Sequence, residues 1–230
     1  MGKLLKTNCF ACRSRSDIFN TLNDDQLQRI DCEKVSIYYK PGEVIFKQGT
    51  PCHSLVCITS GLVKSYIEHE NSNDLIFSLT RPSNYLLMPG AFVDQRHHYS
   101  AVAVEETTAC LFNIDIIVEL MKANVSFASE FLRKASLQTV NLFHKISGLT
   151  QKHIYGRMAD TILYLASSVY NNKAFELTIS RQELADLSGM TKESAIRVLK
   201  KFKDEEIISL NGNYLEILNQ SMLESINKNG

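Results

Sequence analysis

Arg181, Thr191, Lys192, Glu193, Ser194, Ile196, Arg197, Lys200 and Lys201 crowd into one run, SRQELADLSGMTKESAIRVLKKFK, from Ser180 to Lys203. Their types suit the base edges and phosphates of a nucleic-acid duplex. An arginine can make two hydrogen bonds to guanine, and a carboxylate can accept from the amino group of cytosine. On a helix Glu193 and Arg197 would stand one turn apart on the same side. Lys192 precedes them, and Lys200 and Lys201 fall where a phosphate backbone would run. Such chemistry needs a scaffold, and the same run supplies one. Ser180 followed by Glu183 is a capping box that opens a first helix, with Leu184, Ala185 and Leu187 on its inner face. Ser188-Gly189-Met190 ends that helix, since glycine turns through left-handed backbone without steric strain. Thr191 then caps a second helix whose Ala195, Val198, Leu199 and Phe202 point to a core. The spacing is that of a helix-turn-helix. The competing reading is an ordinary amphipathic helix with a solvated charged face.

The residues after Lys203 decide between the two. Ile207 to Leu210 and Tyr214 to Ile217 are short apolar runs separated by Asn211-Gly212-Asn213, a strong hairpin signal. A helix-turn-helix followed by a hairpin is a winged helix. From Lys192 to Lys203 there are five basic residues and one acid, with Asp204-Glu205-Glu206 immediately after, in a chain whose formal net charge is zero. Positive charge is thus focused on one element, which argues against a protein that coats nucleic acid indiscriminately.

The run LTISRQELADLSGMTKESAIRVLKKFKDEEIISLNG resembles the DNA-binding end of the CRP/FNR superfamily of bacterial transcription regulators. By that resemblance Glu193 and Arg197 match the base-reading pair. The cyclic-AMP-binding branch carries arginine where this chain has Lys192, and the FNR branch carries serine at Ile196. A shared central G·C reading with different flanking bases is the implication.

Two hundred and thirty residues suffice for two ordinary domains. No apolar run approaches a membrane span, and MGKLLKTNCFACRSRS has no apolar core of signal-peptide type, so the expectation is a cytoplasmic protein without membrane contact. Six cysteines at irregular spacing, Cys9, Cys12, Cys32, Cys52, Cys57 and Cys110, make structural disulfides an unfavoured reading in that compartment. Cys9 and Cys12 form the one Cys-x-x-Cys. A zinc knuckle needs a second close pair that is not nearby, and a thioredoxin-like site needs a βαβ unit, which the next residues do not make. The resemblance implies a third role. FNR-type regulators hold an iron–sulfur cluster on an N-terminal cysteine group plus a distant cysteine, and Cys9, Cys12 and Cys110 in TTACLFNI fit three of those places. The third N-terminal cysteine would fall near Ile18 and is missing, whereas four thiolates are the usual set. Cys32, beyond the expected helix, is the one candidate substitute; inert thiols are the competing reading, and Cys52, Cys57 and Cys110 are expected as small core residues.

From Val35 to Ile114 strand-like runs alternate with turns at Lys40-Pro41-Gly42-Glu43, Gln48-Gly49-Thr50-Pro51, Ser60-Gly61 and Asn71-Ser72-Asn73, the rhythm of an antiparallel barrel or roll. The phrase KPGEVIFKQGTPCHSLVCITSGLVKSY resembles the opening of the superfamily's β-roll sensor. The resemblance places an effector pocket at Met88, Gly90, Tyr99 and Ser100. Where the cyclic-AMP branch has a glutamate for the ribose, NYLLMPGAF has Met88, and where it has an Arg-Ser pair for the phosphate this chain has Tyr99-Ser100. Cyclic AMP is therefore disfavoured as effector, since a phosphate wants amides or an arginine. His53, His97 and His98 leave an axial haem ligand open, although adjacent histidines in extended chain point to opposite sides. No clustered His/Glu metal set of cupin type can be assembled.

Ahead of the roll, Asp17 to Ile30 reads as a short pair of amphipathic helices. After it, Leu132, Ala135, Thr139, Leu142, Ile146 and Leu149 recur at alternating steps of three and four, a coiled-coil seam. Phe127, Phe131 and Phe143 fall off that seam, towards the roll. The alternative is that both stripes pack within one subunit. The tail from Ser221 is expected to be a short helix that frays. The expected architecture is α+β: an antiparallel β-roll sensor over residues 1–115, a dimerisation helix over 116–149 and a winged helix over 150–230. The expected function is a homodimeric, sequence-specific regulator, not an enzyme, that binds a near-palindromic DNA operator. An effector or redox signal switches it through the roll, and RNA polymerase is its partner by family resemblance. The alternatives are a ligand-binding β-roll protein without DNA function, or a Cys-x-x-Cys redox or metal protein.

Overall fold

A computed structural model describes residues 3–5, 7–69 and 74–230; the turn read at Asn71-Ser72-Asn73 lies outside them. Two units emerge, Met1–Glu68 with Ser78–Asn141 and His69–Phe77 with Leu142–Gly230.

The strands of residues 3–113 form a roll of two antiparallel sheets. One has the order β1 (Lys3–Leu5), β2 (Val35–Tyr39), β8 (Thr107–Asn113), β4 (Ser54–Ser60), and the other β3 (Val44–Phe46), β7 (Ser100–Ala103), β5 (Val63–Ile67), β6 (Leu75–Thr80). The strands lie within Val35 to Ile114, the span whose strand-like rhythm was read, apart from β1, whose three residues are all exposed and carry no pattern. Tight turns join them: Glu43 N–H reaches the Lys40 carbonyl at 3.0 Å. At Gly61, φ +84°, a β-carbon would lie 2.4 Å from the Glu106 carbonyl oxygen, so the turn admits only glycine.

The N-terminal helical pair is a 3₁₀ turn over Asp17–Thr21 followed by α1 (Asp24–Glu33), which opens on an Asn23/Gln26 capping box. Ile18, Phe19, Leu27 and Ile30 from this pair are buried in a core shared with Leu55, Tyr85, Phe112, Ile117, Phe127 and Phe131.

The helical stretch read as one element over 116–149 is two. Helix α2 (Ile114–Ala123) ends at Asn124, and α3 (Val125–Gln151) begins directly after it. Asn124 makes the break: its backbone is extended, its Oδ1 accepts from Phe127 N–H at 3.0 Å, and its Nδ2 donates to the Thr21 carbonyl at 2.9 Å. The four residues of α2 buried in the roll are Ile114, Ile116, Ile117 and Leu120. Phe127 and Phe131 pack inward as read, but Phe143 is 64% exposed.

In the second unit α4 (Ile154–Tyr164) runs on through a π turn over Leu165–Val169. Then come β9 (Ala174–Glu176), α5 (Arg181–Ser188), α6 (Lys192–Asp204), the hairpin β10 (Ile208–Asn211) and β11 (Tyr214–Ile217), and α7 (Gln220–Asn229), with sheet order β10-β11-β9. The hairpin closes with Asn211 opposite Tyr214, as its Asn-Gly signal requires. The tail is a helix as read, and it packs. Leu223 is fully buried, and Gly230 closes on Gly156, where a β-carbon would meet the Gly230 carbonyl oxygen at 2.6 Å.

Candidate nucleic-acid interface

Helix α5 is capped as read: Ser180 Oγ accepts from Glu183 N–H at 3.2 Å, and Glu183 Oε2 accepts from Ser180 N–H at 2.8 Å. It ends on Gly189 in left-handed backbone, φ +60°. Thr191 caps α6 by accepting from Ser194 N–H at 3.3 Å. Leu184, Ala185, Leu187, Ala195, Val198, Leu199 and Phe202 are all buried, so the two helices share one inner face.

The opposite face of α6 is open. Thr191, Lys192, Glu193, Ile196, Arg197, Lys200 and Lys201 are exposed. Among the described residues none bonds to the side chains of Lys192, Glu193, Arg197 or Lys200. Others are engaged. Lys201 lies over the Tyr155 ring at 4.5 Å and 3.8 Å from Glu205. Ser194 is half-buried, with its hydroxyl 3.2 Å from that of Thr191. Arg181 is turned to the wing, donating to the Gly212 carbonyl, and burial lowers its pKa. It braces the hairpin in this chain, which its place in the sequence did not reveal.

Sequence reasoning also missed a cluster behind the turn. Lys145 of α3 donates to the Leu187 carbonyl, and Arg157 of α4 donates to the Gly189 carbonyl at 2.8 Å. A lysine flanked by Leu142, Ile146 and Leu149 on an amphipathic helix was the available signal. Of the six seam residues, Leu132, Thr139 and Ile146 are exposed, while Ala135, Leu142 and Leu149 are half-buried. Leu149 is used within its own unit, against Gly189.

The four residues read as an effector pocket are packed. Ser100 accepts from Gln48 N–H at 2.9 Å and donates to the Glu68 carboxylate, which would repel an anion. Tyr99 donates to the Leu87 carbonyl, and burial pushes its phenol far above its ordinary pKa. The Arg96 carbonyl oxygen lies 1.8 Å from where a β-carbon on Gly90 would stand. Met88 alone among them borders open space: an apolar cleft of about 240 Å³ lined also by Tyr85, Leu87, Phe92, Phe131, Leu132 and Ala135.

The cysteines do not fit an iron–sulfur cluster. Burial and the Asp31 carboxylate that its thiol faces push Cys9 up to about 12, and Asp31 also accepts from Cys9 N–H at 2.6 Å. Cys110 Sγ lies 3.3 Å from Ser36 Oγ and pairs across the sheet with Cys57, whose complete burial raises its thiol as well. Cys12 is half-buried. Among the described residues no group of three or more His, Cys, Asp or Glu is arranged to hold a metal ion. His97 and His98 part as adjacent residues do: His97 is buried on Phe46, centroids 3.8 Å apart, whereas His98 is exposed beside Asp94 at 3.1 Å. No helix among the described residues is long and apolar enough to cross a membrane.

A β-roll, a long helix and a winged helix with an open basic face together define a DNA-binding regulator. Family models agree with both ends of the chain: the cyclic nucleotide-binding domain matches residues 36–124 and the Crp-like helix-turn-helix domain residues 156–226. The chain is 29% identical over 209 residues to electron transport regulator A of Shewanella oneidensis, covering 88% of this chain and 83% of that protein. It is 28% identical over 211 residues to the fumarate and nitrate reduction regulatory protein of Vibrio cholerae, with the same two coverages of 88% and 83%. In fold it is similar to FixK2 of Bradyrhizobium japonicum, with TM-score 0.77 at 18% identity over 84% of this chain and 96% of that one. A Crp/Fnr-family regulator of Eubacterium rectale gives TM-score 0.73 at 19% identity over 92% of this chain and 97% of that one. The chain belongs to the CRP/FNR superfamily. It is a DNA-binding transcription regulator and not an enzyme.

Proposed function

We propose that the chain works as a homodimer whose two copies of α6 enter successive major grooves of a near-palindromic operator, half-sites about 34 Å apart. Arg197 contacts a guanine and Glu193 a cytosine, while Lys200 and Lys201 follow the phosphates. The observation that carries this reading is the state of Glu193 and Arg197: both exposed, one turn apart, at the open end of a helix whose other face is buried. Thr191 and Ser194 set the helix start, and Lys192 and Ile196 face the flanking bases.

Pairing of two copies through α3 is supported by an apolar strip that the chain itself leaves uncovered: Leu132, Val140, Phe143 and Ile146, 66%, 45%, 64% and 56% exposed. A ligand in the cleft beside Leu132 and Ala135 would press on the same helix, and so favour one spacing of the two reading heads. Bound at its operator, the dimer would meet RNA polymerase, the partner the superfamily resemblance implies. The cytoplasm is the compartment where both partners are found.

The test is selection of half-sites from a random duplex pool, followed by Arg197→Ala. Enrichment of a two-fold symmetric site with a central G·C pair is expected. Loss of the Arg197 contact should cost about 1–3 kcal/mol and relax preference at one position per half-site. An Arg197→Ala protein that ranks every site variant as the parent does would overturn the assignment.

A further inference from the structure

The turn between α5 and α6 is held from behind by three side chains of the same unit. Leu149, near the end of α3, brings its Cδ2 to 2.4 Å from where a β-carbon on Gly189 would sit. Arg157 of α4 donates to the Gly189 carbonyl at 2.8 Å, and Lys145 of α3 donates to the Leu187 carbonyl. Leu187 and Gly189 are the end of α5, where carbonyls have no intrahelical partner and the helix dipole favours a cation. Two cations from two other helices thus close the end of α5, and α6 starts three residues after Gly189.

The arrangement holds against a cost. Burial pushes the pKa of Lys145 down to about 8, with the Asp160 carboxylate offsetting part of that. Asp160 is in turn bonded to Lys152 at 2.9 Å. A long lysine stem can ordinarily carry its charge to water, yet here the ammonium turns inward to a carbonyl. Leu184, Ala185, Leu187, Ala195, Val198, Leu199 and Phe202 fill the shared face of α5 and α6, and Lys145 meets α5 at a backbone carbonyl instead.

We infer that Lys145, with Arg157 and Leu149, is a positioning residue for operator reading: the three fix the direction of α6 against the end of α3 without touching DNA. This rests on α6 being the reading helix. Lys145→Met removes the cation and keeps the apolar stem. It should weaken specific operator binding about tenfold, within the range usual for coupled sites, while binding to unrelated duplex stays unchanged. It should also speed hydrogen exchange at Gly189 and Met190, whose amides close the turn on Asp186 and Ala185, and Lys145→Arg should restore both. Should Lys145→Met fail to fold, Arg157→Gln, which removes the other bond to the turn, takes its place with the same expected split. Unaltered operator affinity, equal loss on specific and unrelated duplex, or no rescue by Lys145→Arg would each overturn the inference. Arg197→Ala keeps the two failures apart. If it leaves site preference intact, the reading of α6 is wrong. If it abolishes preference while Lys145→Met does nothing, only the positioning role is wrong.

Discussion

Glu193 and Arg197 stand apart from the charges around them by what they do not touch: Arg181, Lys201 and Lys203 each bond to a carbonyl, a carboxylate or a ring of their own unit. A free charge on a capped, rigid helix is already oriented for a ligand. The roll shows the opposite case in His97, stacked on Phe46 at an interplanar angle of 8° with Nδ1 buried and without a partner among the described residues. Burial, then the neighbouring His53 and His98, push its pKa from 6.5 down to about 4. Between those values the unfolded chain binds a proton that the folded roll does not, so stability falls as pH falls through that window. His97→Phe keeps the stack and removes the titration. In thermal melts from about pH 7 to pH 4 the parent's midpoint should drop more steeply than the variant's; parallel slopes would show that His97 takes no part.

Elements were easier to read from the residues than the partners of elements were. The capping box at Ser180, the left-handed Gly189 and the Asn211-Gly212 turn are local, because each satisfies its bonds within four residues. Helix α3 was harder, since a heptad gives the period of an apolar stripe but not which of two stripes meets the rest of the chain. Leu149 fitted the seam by spacing and is used against Gly189 instead, whereas Phe143, set aside as facing inward, is exposed. Asn124 likewise ends α2 through bonds to Thr21 and Gln26, about a hundred residues away in sequence, which no window around it contains. The exposed strip Leu132, Val140, Phe143 and Ile146 is then the surface proposed for a second copy. Phe143→Glu puts a charge into the middle of it, where a buried unpaired carboxylate costs several kcal/mol. Sedimentation should show the variant as a monomer, with operator binding lost and helical content kept. A dimer of parental affinity would place the pairing surface elsewhere.

Across the whole molecule the division of labour comes from there being two cores. One gathers Phe19, Leu55, Tyr85, Ile117 and Phe127, and the other Met158, Ile162, Leu184, Leu199 and Phe202, every one of them at most 2% exposed. Among the described residues only α3 contributes a long stretch of one helix to both units. Separate cores make separate cooperative transitions the expectation, in contrast to a small single domain. If DNA is held through α6, as proposed, it is held in the second unit, so operator at about a hundredfold above its dissociation constant should stabilise that unit by about 2.7 kcal/mol by mass action. Calorimetry of the dimer should therefore resolve two endotherms, of which operator moves one and leaves the roll's midpoint in place. Lys145→Met should shrink the operator-induced shift without lowering the roll's transition. A single endotherm that moves as a whole would mean that α3 makes the two cores one folding unit, and a signal in the roll would then reach the reading helix as a change in stability of the entire chain, not as a change in its direction.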